Sequence, residues 1–130
     1  MRIRLQEDLP YVRATLSYHN QQMEFENVLL DTGSGGTIFS VDQVLAVGLQ
    51  LEPDDIIHRI RGVGGTEFVF TKRVDSLALG ELQVNDFEIE IGAMDYGFGV
   101  EGIVGMDFLR EVGAVIDLAR LEIYQATQQE

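Results

Sequence analysis

Val28-Leu29-Leu30-Asp31-Thr32-Gly33-Ser34-Gly35-Gly36 is the stretch on which the reading of this chain turns. An apolar run suited to a buried strand stops at one carboxylate, and small, hydroxylated and glycine residues follow at once. Such a turn can present a carboxylate rigidly: Gly33 admits a close approach, and Thr32 and Ser34 carry hydroxyl donors. Asp-Thr-Gly also arises by chance, often as an Asx-turn in which the carboxylate bonds its own backbone. What surrounds it has to decide.

Upstream, Tyr11 to Tyr18 alternates, with Val12, Ala14, Leu16 and Tyr18 on one face. His19-Asn20-Gln21-Gln22 reads as a turn and Met23 to Leu30 as the returning strand. Downstream, Thr37 to Ser40 is a short strand, and Ser40 is placed to N-cap a helical turn over Val41 to Val47, ended by Gly48. A hairpin is expected from Ile57 to Phe70, with Gly62-Val63-Gly64-Gly65 at its tip, then strands over Ser76 to Leu79 and Phe87 to Ile91 with turns at Gly80 and Asn85-Asp86. Asp95 to Gly102 is a glycine-rich loop, Met106 to Val112 a helix closed by Gly113, and Ala114 to Asp117 with Leu121 to Tyr124 a final hairpin. Many short strands and one or two short helices predict an all-β fold, a closed barrel in a single domain over residues 1–130, with its core at about 11–124 and a polar tail at 125–130. A parallel α/β fold needs long helices, and none is legible.

Composition narrows the chemistry. The 130 residues hold 22 acidic and 9 basic side chains, a formal charge of −13, with 45% hydrophobic residues and no cysteine. That excludes a disulfide scaffold, a thiolate zinc site and a cysteine nucleophile. A surface so negative also argues against nucleic acid, which needs clustered Lys and Arg. Met1 to Asp8 carries Arg2, Arg4, Glu7 and Asp8 without an apolar run, and no stretch approaches the ~20 apolar residues that span a bilayer. A cytoplasmic location and no membrane partner are the expectations.

The strand-to-Asp31-Thr32-Gly33-Ser34 segment resembles the catalytic loop of aspartic proteases. Ile103-Val104-Gly105 before Met106-Asp107-Phe108-Leu109 resembles that family's second mark, two apolar residues and a glycine leading into a short helix. Gly62-Val63-Gly64-Gly65 is similar to the glycine-tipped flap of the retroviral enzymes, and the tyrosine usual in a pepsin-type flap is absent. The likeness runs from about Val12 to Tyr124. It implies a six-stranded-type acid-protease barrel of the retropepsin-like kind. Catalytic residues would be Asp31, Thr32 and Gly33, supported by Ser34, Gly62, Val63, Gly64, Gly65, Ile103, Val104 and Gly105. No cofactor or metal is implied. By the same resemblance Thr32 bonds across a dimer, and Ser34 donates to the outer oxygen of Asp31.

The mechanism needs two carboxylates sharing one proton. One Asp-Thr-Gly per chain therefore requires a twofold homodimer, acting on a peptide substrate, whose formal charge would be −13 doubled, −26. Retroviral enzymes commonly place an arginine after the downstream glycine, paired with an acid past the catalytic loop. Here Met106 follows Gly105 and Gly35-Gly36 follow Ser34, so both partners are missing. In this the chain is closer to bacterial relatives and to the protease-like domain of DNA-damage-inducible shuttle proteins. Leu121 to Tyr124 reads equally as an interleaved dimer strand and as an ordinary barrel strand.

Other readings carry less. The alternative is a catalytically silent module of the same fold that binds peptides or dimerises. Gly33 to Thr37 has no Lys to make it a phosphate cradle. Glu52, Asp54 and Asp55 lack calcium-loop spacing and read as a solvated turn, and Glu88 and Glu90 read as an outer strand face. His19 and His58 read as surface residues, and Met94 to Phe98 as a loop that lines a pocket or packs on itself.

Overall fold

Alternation becomes strand wherever one face of it can be buried. The computed structural model describes residues 1–62, 65–93 and 99–127, with the side chains of 60–67 outside that description. In chain order the elements are β1 (Arg4–Gln6), β2 (Leu9–Tyr18), β3 (Gln21–Leu30), β4 (Ile38–Ser40), and α1 (Val41–Val44) running into a 3-10 turn (Leu45–Val47). Then come β5 (Ile57–Gly62), β6 (Gly65–Leu79), β7 (Leu82–Gly92), β8 (Gly102–Val104), α2 (Met106–Glu111), β9 (Ala114–Asp117) and β10 (Glu122–Gln125).

One sheet holds eight of these strands in the order β1-β2-β3-β8-β4-β7-β6-β5, and β2 also pairs with β6. Its neighbours are antiparallel except β3 with β8 and β4 with β7, which run parallel. Parallel neighbours need long crossovers. That is why β8 can lie beside β3 only after the chain has laid down the strands between them. Alternating residues of β2 and β3 enter the core, where Val12, Ala14, Leu16, Phe25 and Val28 are almost wholly buried. Phe25 packs on Phe39 at 5.2 Å and Phe87 meets Phe108 edge-on at 5.8 Å. A smaller cluster of Ile38, Val69 and Ile103, with Leu29 and Val100 against it, stands apart from that core. Period 2 separates the two, since Leu29 and Ile103 point away from the face that Leu30 and Val104 share.

The structure corrects several expectations. Ser76 to Leu79 is the end of the 15-residue β6 rather than a separate strand. Asn85-Asp86 is no turn: Asn85 pairs with Ser76 and Phe87 with Val74, and Asp86 takes φ 52° within a strand that continues. The ladder to β6 outweighs the local turn propensity. The β1–β2 hairpin was not legible, because its turn places Glu7 and Asp8 at φ 53° and 61° without a glycine to mark it. Ser40 stands at the N-cap of α1, but its side chain makes no capping hydrogen bond. Gly48 does end the turn, at φ 82°.

The N-terminus joins the C-terminal hairpin. Arg2 bridges Glu122, the Ile3 N–H donates to Leu121 O at 2.8 Å, and the Ile123 N–H donates to Met1 O at 2.8 Å. Leu121 to Tyr124 therefore pairs with β9 on one side and with its own N-terminus on the other. Among the described residues no helix is long and apolar enough to cross a membrane.

Candidate active site

Asp31 is the first residue past β3, and the ladder carries one step beyond the strand to hold it. Val28, Leu29 and Leu30 pair with Gly102, Ile103 and Val104, and the Asp31 N–H then donates to Val104 O at 3.0 Å. The loop closes on itself through an Asx-turn: the Gly33 N–H donates to Asp31 Oδ1 at 2.9 Å and the Ser34 N–H to Asp31 O at 3.1 Å. The Asx-turn and the functional reading are thus compatible. One carboxylate oxygen is fixed by the loop, and the side chain stays half-buried. A Cβ at Gly33 would stand 3.2 Å from Asp31 Oδ1, so glycine keeps the backbone close to the acid.

Gly105 sits directly behind this loop. A Cβ there would lie 2.6 Å from Ser34 O and would overlap Gly36 O. Only glycine lets β8 and α2 press so closely on residues 34–36. Met106 N–H donates to Ser34 O at 2.8 Å and Asp107 N–H to Gly35 O at 3.2 Å. The structure therefore brings together Asp31, Thr32, Gly33, Ser34, Ile103, Val104 and Gly105. Gly62 and Gly65 pair at the end of the β5–β6 hairpin, while Val63 and Gly64 lie outside the described residues, as do Met94 to Phe98.

One expected contact differs. The Ser34 hydroxyl donates to Gly36 O at 2.8 Å, within its own loop, rather than to Asp31. Thr32 is exposed and borders a recess of about 400 Å³ lined by Met106, Leu109, Arg110, Gly113, Ala114 and Ile116.

Sequence reasoning missed three residues here. Thr37, 1% exposed, donates through Oγ1 to Asp107 Oδ1 at 2.7 Å, and its N–H donates to Asp107 Oδ2 at 3.2 Å. Glu90 is half-buried rather than on an outer face, with Oε1 2.6 Å from where a Gly36 Cβ would stand. Burial and then the nearby Asp107 push its carboxyl above the usual range, His58 pulls the other way, and Glu88 adds to the rise. Nothing local marks these residues; only the register of β4 against β7 and the docking of α2 assemble them.

The acidic turn after α1 is also pinned rather than simply solvated. Lys72, with 8% of its side chain exposed, reaches Glu52 Oε1 at 2.7 Å and Asp55 Oδ2 at 2.8 Å. Burial pulls the Lys72 ammonium down, but the hydrogen bonds to Asp55 and Glu52 outweigh it and hold it above the ordinary lysine value. Asp55 is held low, first by Lys72 and then by the Glu52 N–H.

A protein-family model described as aspartyl protease matches residues 14–108. Among curated proteins none matches the chain. The matched span covers Asp31, the β5–β6 hairpin and Gly105 up to Phe108, and so includes both the loop that carries the candidate carboxylate and the glycine packed behind it. A rigidly presented acid at a strand end, backed by a glycine that admits no side chain, agrees with that match, and the chain belongs to the retropepsin-like aspartyl protease family.

Proposed function

We propose that the chain is a homodimeric aspartic endopeptidase whose dyad is Asp31 with Asp31 of the partner subunit. The carrying observation is the presentation of Asp31, whose backbone is locked to Val104 and whose Oδ1 is held by the Gly33 N–H. The ionised member of the dyad takes a proton from a water lying between the two. That water's oxygen bonds to the scissile carbonyl carbon while the protonated member donates to the carbonyl oxygen. On collapse the newly ionised member takes a proton from one hydroxyl of the tetrahedral diol, the carbonyl reforms as the C–N bond breaks, and the amine leaves with the proton of the other member.

The cycle of pairings from β2 through β3, β8, β4, β7 and β6 back to β2 supports the closed-barrel reading. The β5–β6 hairpin would serve as the flap, with Gly62, Val63, Gly64 and Gly65 at its tip, and an extended peptide would lie beneath it as an added strand. Ile103 and Ile38 would offer that peptide an apolar wall, while Val104 and Gly105 hold the loop from behind. The termini pair within one chain. The interface is therefore better sought at exposed Thr32, the recess beside it and the outer edge of β9. The missing arginine–acid pair favours the bacterial or DNA-damage-inducible-protein-like branch.

The test combines peptide-library cleavage with sedimentation of the wild type and Asp31→Asn. Cleavage lost by about 10³-fold or more with the dimer intact is the expected result. Cleavage that survives the substitution, or a strict monomer that cleaves, defeats the mechanism. A dimer whose wild type cleaves nothing would instead be the silent peptide-binding module.

A further inference from the structure

We infer that Asp107 is a positioning residue for Asp31, acting through the buried Thr37 hydroxyl. Its catalytic consequence rests on the endopeptidase reading above; its structural consequence does not.

The loop bearing Asp31 leaves the sheet at Leu30 and rejoins it at Ile38, so its shape depends on how both ends are held. The first end is tied by Asp31 N–H to Val104 O. The second end is Thr37. Its hydroxyl donates to Asp107 Oδ1 at 2.7 Å and accepts the Gly105 N–H at 3.2 Å, and its own N–H goes to Asp107 Oδ2 at 3.2 Å. Asp107 Oδ1 also takes the Phe108 N–H at 2.7 Å. Both carboxylate oxygens are therefore acceptors on fixed donors, and every one of those donors belongs to the loop end or to α2.

A carboxylate suits this place better than an amide. An asparagine would keep one acceptor oxygen and turn an NH₂ group toward a backbone N–H, setting donor against donor. The hydroxyl matters as well: a valine at position 37 would fill the space while losing a donor and an acceptor inside a buried site. Glu90 occupies the space that a Gly36 Cβ would need and its N–H donates to Thr37 O at 2.9 Å, so residues 36 and 37 meet acidic residues from both β7 and α2. With Met106 following Gly105 and Gly35-Gly36 following Ser34, an arginine–acid brace has no side chains to form it. The Thr37–Asp107 pair does the bracing with the charge on the helix and neutral donors on the loop. A residue that sets the loop's shape without touching substrate acts on turnover more than on binding, since small misplacement of a reacting group costs rate.

The test compares Thr37→Val, Asp107→Asn and Thr37→Ser with the wild type. A quenched fluorescent peptide drawn from the cleavage library is the substrate, and amide hydrogen exchange is measured in parallel. In Thr37→Val, kcat falls about 10- to 100-fold while KM stays within about twofold. Asp107→Asn falls less, and Thr37→Ser returns close to wild type. Exchange at residues 31–37 quickens about tenfold in Thr37→Val while that of β2 and β3 is unchanged. Unaltered kcat in both Thr37→Val and Asp107→Asn overturns the inference. So does a change confined to KM, or exchange that quickens equally across the whole sheet. A wild type that cleaves nothing defeats the endopeptidase reading alone, and the exchange pattern then decides the positioning role.

Discussion

Two acidic neighbourhoods of this molecule handle charge in opposite ways. At Lys72 a cation lies between Glu52 and Asp55 at 2.7 and 2.8 Å, and the turn that carries the acids is fastened to β6. Around the Asp31 loop, Asp107 is held by a hydroxyl and backbone N–H groups, Asp31 by the Gly33 N–H, and Glu90 has only His58 pulling against its raised carboxyl. The first arrangement settles its charges and fixes a turn. In the second, burial and then Asp107 hold the Glu90 carboxyl above its ordinary range, while hydrogen bonds rather than an ion pair fix Asp107 and Asp31.

The contrast can be broken most violently at Gly105. Gly105→Ala drives a methyl into Ser34 O at 2.6 Å, backbone that cannot swing aside, and should cost on the order of 4 kcal/mol or more by denaturant unfolding. A mild loss would show that α2 and the loop are less tightly joined than their contacts indicate. Lys72→Met comes next, leaving two acids without their cation at a cost of about 1–3 kcal/mol. Its pH dependence has a definite sign. Asp55 lies below its ordinary 3.8, so its contribution stands above that value and fades as pH falls through the lower folded pKa. Lys72 lies above its ordinary 10.5, so its contribution is full below 10.5 and fades as pH rises past the folded pKa. The gap between wild type and variant should therefore be widest across the middle of the range and narrow at both ends. A gap that is flat with pH rules out the ion pairs as its source.

At Glu90 the sign reverses. Its pKa is raised above 4.5, so the favourable, protonated form is present below 4.5 and lost as pH climbs. Glu90→Gln should match the wild type in melting at acid pH and exceed it near neutrality, by less than about 1 kcal/mol because solvent screens a half-exposed group. Curves that stay parallel from acid to neutral pH would contradict this. The smallest effect on pH behaviour belongs to Ser34→Ala. Because the hydroxyl serves Gly36 O and not Asp31, the limbs of the pH–activity profile should stay where they are, with about 0.5–1.5 kcal/mol of stability lost. Displaced limbs would place Ser34 back on the carboxylate.

The elements that were legible are those whose signal lies within a few residues. Val12, Ala14, Leu16 and Tyr18 announced β2 by alternation, and all four are buried. Gly48 and Gly113 ended their helical segments at φ 82° and 61°, as chain punctuation predicts. Asn85-Asp86 carried an equally strong local signal and was overridden, because both flanking residues could pair with β6. Glu7-Asp8 and His19-Asn20 form similar left-handed turns, but only the latter had polar turn residues between two clear alternations to reveal it. The Thr37–Asp107 contact spans 70 residues, and no local rule reaches that far.

By itself the sequence determined the β-rich character, the acid that follows an apolar strand and the glycine stops at Gly48 and Gly113. Each follows from side-chain period or from the conformational range of single residues. Only the tertiary structure decided which groups meet that acid. The parallel pairing of β3 with β8 brings Val104 and Gly105 behind Asp31, and that of β4 with β7 brings Glu90 against Gly36. The physical reason is that neighbours across a parallel ladder are fixed by register between distant strands, and register is chosen by burying the whole sheet at once.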